Sequence, residues 1–123
     1  GTFNATGPNY EMSMAAMLHG VRAGTTAGAR LHWLPSGFLD EQGIHAWSDM
    51  PVWVPGVGDS AGFSRVSNRR SLQQGLTFRR FSETVGDTLA WFGGLPTERQ
   101  SVLRAGLTAD KERALLTKFG IPG

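Results

Sequence analysis

The sequence predicts an α/β fold, a small helix-rich domain with a few short strands. Two observations carry this. Apolar residues recur at helical spacing behind Ser or Thr caps. Between them lie three short strand-like runs, bounded by Gly, Pro or Asn. At 123 residues the chain fits a single domain spanning 1–123, with room for a modest core.

Gly1-Thr2-Phe3-Asn4-Ala5-Thr6 reads as the first strand, ended by Gly7-Pro8-Asn9. Ser13 is placed to cap a helix in which Met14, Met17, Leu18 and Val21 form one apolar face and Gly24 the stop. Arg30 to Leu34 alternates like a half-buried strand, closed by Pro35. Ser36 to Gln42 predicts a short helix halted by Gly43. Residues 44–64 are irregular, and Phe63 to Ser67 reads as a brief strand. Asn68 is placed to cap a helix through Gln74, with Gly75 as its stop. Ser82 is the expected cap of the next helix, with Glu83 suited to its dipole and Phe81, Val85, Leu89 and Phe92 as its stripe. Thr97-x-x-Gln100 has the capping-box pattern and predicts a helix to about Ala105. Thr108 is placed to cap the last helix, with Leu115 and Phe119 inward. Each large side chain fully buried contributes about 1.5–3 kcal/mol, so such stripes can hold small helices down. Three short strands make a weak sheet and suit an extension of a larger body. The chain also opens directly on strand-like residues, which predicts a fragment of something longer.

Composition narrows the function classes. No apolar run reaches membrane-span length and no signal-peptide pattern appears. With no cysteine, disulfides, thiolate metal sites and cysteine catalysis are excluded. The same lack fits a reducing compartment, so a cytoplasmic location is expected. Net charge is only +2, but five of the twelve basic residues fall within 65–80: Arg65, Arg69, Arg70, Arg79 and Arg80, with no acid among them.

The stretch "PVWVPGVGDSAG", residues 51–62, imitates a dinucleotide-binding turn. Such a turn needs a buried strand before it, a helix starting at it, and an acid about 20 residues on. Here Pro55 separates Val52-Trp53-Val54 from Gly56, no helical period follows Ala61, and residues 75–80 hold no acid. A surface loop using positive φ at Gly56 or Gly58 is the better reading.

Other chemistry is thin. Tyr10 has no lysine four residues on. His19, His32 and His45 lack metal-ligand spacing, and no G-x-S-x-G elbow occurs. Asp40 and Glu41 are adjacent on a short helix and point different ways. No catalytic group is assigned.

The order of elements nonetheless resembles a known family. Gly1-Thr2-Phe3-Asn4-Ala5-Thr6-Gly7-Pro8 resembles the G-x-[FY]-N-x-T-G-P stretch that opens the final portion of extended short-chain dehydrogenase/reductases, the NAD-dependent epimerase/dehydratase family. The helix from Met14 to Ala23, Arg30 to Leu34, Phe63-Ser64-Arg65-Val66-Ser67-Asn68, Ser71 to Phe78 and Phe81 to Trp91 follow in the family's order. The resemblance implies the C-terminal, substrate-binding lobe of a Rossmann-type enzyme without its dinucleotide-binding domain, carrying a helical C-terminal extension. It implies no cofactor in this fragment and NAD or NADP for the parent. The implied partners are the upstream Rossmann domain and a small-molecule substrate, for which a sugar nucleotide is one option.

By the same resemblance, Arg65 matches an arginine directed at a ligand's phosphates, a task suited to a planar fork of donors. Trp53 and Phe63 would stack on a substrate ring from the variable loop. The plainer alternatives are an exposed arginine at Arg65 and a buried anchor of a proline-rich loop at Trp53. The Trp- and Pro-rich loop and the two added helices depart from the sugar-nucleotide pattern. A different class of function is a small basic nucleic-acid-binding module, with Phe78 and Phe81 interleaved among Arg79 and Arg80, although the low net charge argues against it. A third is a protein-interaction module. It agrees in part with the first, because a lobe without its partner domain exposes an apolar face that can self-associate.

Overall fold

The computed structural model describes residues 1–122, and the chain forms two compact units, each assembled from two separate stretches. The first comprises Gly1–Leu31 with Gly62–Gln100, the second His32–Ala61 with Ser101–Gly123. The elements are α1 (Met14–Ala23), α2 (Ser36–Glu41), a 3-10 turn (Gly58–Ser60), α3 (Arg69–Gln73), α4 (Phe81–Gly93), α5 (Thr97–Ser101) and α6 (Ala109–Lys118).

The expected strands do not form. Among the described residues the only β pairing is an isolated parallel bridge between Ala46 and Met50. Residues 1–6, 30–34 and 63–67 include no strand. A strand exists only where a neighbour completes its ladder, and two-residue-period patterning cannot supply that neighbour. The result is a small helix-rich fold almost without strands.

In the first unit α1 packs on α4. Ser13 caps α1 as its sequence predicts, with the Ala16 amide donating to Ser13 Oγ at 3.1 Å. Two glycines one helical turn apart make the contact possible. A Cβ on Gly20 would come within 2.8 Å of the Phe81 ring, and one on Gly24 within 2.9 Å of Val85 Cγ1. Phe81 and Val85 are likewise one turn apart on α4, so two side chains of one helix seat on two bare positions of the other. Val85 is buried, whereas Leu89 of the same stripe is exposed. Helix α4 begins at Phe81, so Ser82 lies inside it and Arg80 is the N-cap. The Arg80 amide donates to Glu83 Oε2 at 3.1 Å, which satisfies one free donor of the helix start.

Two sequence-derived caps are corrected here. Asn68 precedes α3, but its side chain makes no capping bond. Its amide donates instead to the carbonyls of Thr6, at 2.8 Å, and Pro8, at 3.3 Å. The Gln100 amide donates to the carbonyls of Leu95, at 2.7 Å, and Gly93, at 3.1 Å. It thus closes the turn before α5 rather than a capping box, and α5 ends at Ser101, short of Ala105.

The second unit has its core at Leu39, Ile44 and Leu115, with Leu34, Phe38, Met50, Trp53 and Leu107 packed against it. Helix α2 ends as expected at Gly43, whose φ of +66° reverses the chain. The Gly43 amide then meets the Asp40 carbonyl at 2.9 Å and the Ile44 amide the Leu39 carbonyl at 2.9 Å, the paired bonds of a Schellman stop. That turn drives Ile44, the most buried of these core residues, inward. Thr108 caps α6 as predicted, accepting from the Lys111 amide at 3.3 Å. Leu115 is buried, and the Phe119 ring meets that of Phe38 with centroids 5.0 Å apart and planes tilted by 57°.

Candidate functional site

The second unit holds a cavity of about 340 Å³ between α2 and the loop that follows it. Ser36 and Asp40 reach it from α2, and Ile44, His45, Trp53 and Val57 from the loop. Ser36 and Asp40 share a face because they lie four residues apart. Gly43 then reverses the chain, which brings Ile44 and His45 to the same cavity.

The loop wall is held by Asp49, whose side chain is only 16% exposed. Its Oδ2 accepts from the His45 amide at 2.9 Å, and its Oδ1 from Lys111 Nζ of α6 at 2.6 Å. The Lys111 ammonium, followed by the His45 amide, holds the Asp49 carboxyl below the usual carboxylate value. Between these anchors the chain turns sharply enough to put Trp47 at φ 68°, a left-handed conformation that few aromatic residues adopt. The Trp47 amide donates to the Met50 carbonyl at 3.2 Å, and the Trp53 amide to the same carbonyl at 3.1 Å.

Trp53 is half-buried. It packs against the Leu39, Ile44 and Leu115 core and also lines the cavity. Its packing on the core is the loop-anchor arrangement weighed for it in the sequence. Arg65 and Phe63 belong to the first unit, and both are exposed. The Arg65 amide donates to the Gly62 carbonyl at 3.0 Å, so its segment is a turn, not a strand. Within the basic stretch, Arg79 pairs with Asp87 and also donates to Thr84, while the Arg70 guanidinium lies 5.3 Å from the Phe3 ring centroid. Sequence reasoning gave Asp40 and His45 no role as wall residues. No local pattern marks them, since the Gly43 turn is what joins them.

Among the described residues no group of three His, Asp or Glu side chains could hold a metal ion, and no helix is long and apolar enough to cross a membrane. The fold and the recess together define a small helix-rich chain with a moderately sized, mostly apolar recess in its second unit. No family model, curated protein or solved structure matches the chain.

Proposed function

We propose that this chain is the substrate-binding lobe of an NAD(P)-dependent epimerase, dehydratase or reductase of the extended short-chain dehydrogenase type. In that reading the parent enzyme moves a hydride between substrate and nicotinamide. This lobe supplies specificity and cleft closure and has no turnover alone. NAD or NADP belongs to the upstream Rossmann domain; Arg65 and Phe63 of the first unit are candidate substrate contacts, and Trp53 of the second unit is a separate one.

One observation carries the reading. Segments that carry the resemblance, residues 1–8, 63–68 and 71–78, are bonded to one another. Asn68 donates to the Thr6 and Pro8 carbonyls, Asn4 Nδ2 donates to the Ser67 carbonyl at 3.2 Å, and the Ser71 hydroxyl donates to the Asn4 carbonyl. The Phe78 ring lies so close to Gly7 that a Cβ there would fall 2.5 Å from it. The Thr6-Gly7-Pro8 turn and the start of α3 satisfy each other's polar groups. Residues 1–6 are exposed and form no strand among the described residues.

The test is the coding sequence immediately upstream. A Gly-rich βα turn and a Tyr-x-x-x-Lys pair are expected there, and their absence overturns the reading. Titrating the chain with NADH or NADPH should give no saturable fluorescence change; micromolar binding would place the cofactor site here instead.

A further inference from the structure

The cavity of the second unit has a chemical character of its own. Its volume, about 340 Å³, lies at the lower end of the range for small-molecule sites, about 300–1,000 Å³. Its walls are largely apolar, with Ile44, Trp53 and Val57 prominent among them. Asp40 is the only carboxylate among the lining residues, and no lysine or arginine lines it. The Asp40 side chain has no ion pair among the described residues, unlike Asp49, Asp87 and Asp110, each of which has a basic partner. A phosphate-bearing ligand would therefore meet a like charge here and find no counter-charge.

We propose that this cavity binds a small organic ammonium ion carried on an apolar or aromatic body. The Asp40 carboxylate takes the ammonium group in a charge-assisted hydrogen bond. Trp53 offers its ring to the apolar body and the face of its indole to the cation. Ser36 and His45 add polar atoms at the wall. Part of the wall is held before a ligand arrives, because Trp53 packs on the core and the His45 end of the loop is tied through Asp49 to Lys111. That lowers the ordering that binding must still impose. The inference rests on reading this loop as substrate-facing, and it narrows the substrate class away from sugar nucleotides at this position.

The test is titration of the whole 123-residue chain with phenethylamine, followed by NMR at the Trp53 indole N–H. The matched neutral and anionic probes are 2-phenylethanol and phenyl phosphate. Phenethylamine should give a saturable shift, 2-phenylethanol a weaker one, and phenyl phosphate the weakest. Asp40→Asn removes the charge from an exposed side chain and should lower amine affinity about tenfold, to the level of the alcohol. Resonances of the first unit, unchanged in that variant, report that the chain is folded. No saturable shift with the amine, equal affinity for all three probes, preference for the phosphate, or an amine affinity unchanged by Asp40→Asn would each overturn the inference. Those outcomes leave the lobe reading intact, whereas saturable NADH binding would remove the lobe reading and leave amine selectivity to be judged alone.

Discussion

The side-chain amide of Asn68 donates to the Thr6 carbonyl at 2.8 Å across a sequence separation of 62 residues. With the second bond to Pro8, it holds the N-terminal segment to the start of α3. A net hydrogen bond contributes roughly 0.5–1.5 kcal/mol, so Asn68→Ala should destabilise the chain by about 1–2 kcal/mol. Asn68→Asp should cost at least as much, because a carboxylate cannot donate to two carbonyls. Urea unfolding checks both. An unchanged midpoint in the alanine variant would mean that the segment is held by something else.

The α1–α4 contact predicts opposite outcomes for one type of substitution. Gly→Ala normally stabilises a helix by about 1 kcal/mol. Gly86 lies within α4 with open space where a Cβ would go, so Gly86→Ala should stabilise by about 0.5–1 kcal/mol. Gly20→Ala drives a methyl into the Phe81 ring, and overpacking costs about 1–3 kcal/mol, which should outweigh the helix gain. Thermal melts of the two variants should move in opposite directions. A stabilised Gly20→Ala would show that Phe81 can move aside freely.

The Asp49–Lys111 pair should make the second unit sensitive to acid. Its carboxyl titrates below its ordinary value of 3.8 in the folded chain, chiefly because of Lys111. A carboxyl with a depressed folded value adds stability above its unfolded pKa, and the contribution disappears as pH falls through the folded value. Lys111→Met should therefore lower the melting temperature at neutral pH. The gap from the parent chain should close as the pH falls below about 4, near the ordinary aspartate pKa. A gap that persists unchanged at pH 2 would assign the effect to packing of the lysine stem rather than to the ion pair.

Ile44 is 3% exposed within the Leu39–Leu115 core. Ile44→Ala should cost about 2–5 kcal/mol and Ile44→Val about 0.5–1.5 kcal/mol. Val57, 65% exposed at the cavity rim, is the control: Val57→Ala should stay within about 0.5 kcal/mol of the parent. Chemical denaturation that ranked Val57→Ala with Ile44→Ala would contradict this placement of the core.

Most features that depend on near neighbours in the chain were legible in the sequence, the cap of α4 excepted. Ser13 and Thr108 cap the helices they precede, and Gly43 and Gly75 end theirs, because capping and reversal are decided within a few residues. Features that depend on a remote partner were not. Residues 1–6 have strand composition, but no partner strand forms a ladder with them. Asn68 and Gln100 have cap composition but find carbonyls outside their helices, because a short polar side chain bonds whatever acceptor the fold brings nearest. The Asp49–Lys111 bond, which fixes one end of the pocket loop, joins residues 62 positions apart and leaves no local trace. Trp53 stood out as an aromatic in a proline-rich loop. Its neighbours at the cavity, Asp40 and His45, did not.

The interleaved order of the two units sets a schedule for synthesis. The ribosome delivers residues 32–61 before α4 exists, yet their core needs Leu115. The residues of the first unit described above precede Ser101, whereas the second unit waits for α6. During that interval Leu39 and Ile44 have no Leu115 to cover them, so this apolar surface stays open on the nascent chain until α6 is made. A chaperone, or slow decoding of the codons for residues 101–118, would act at that stage.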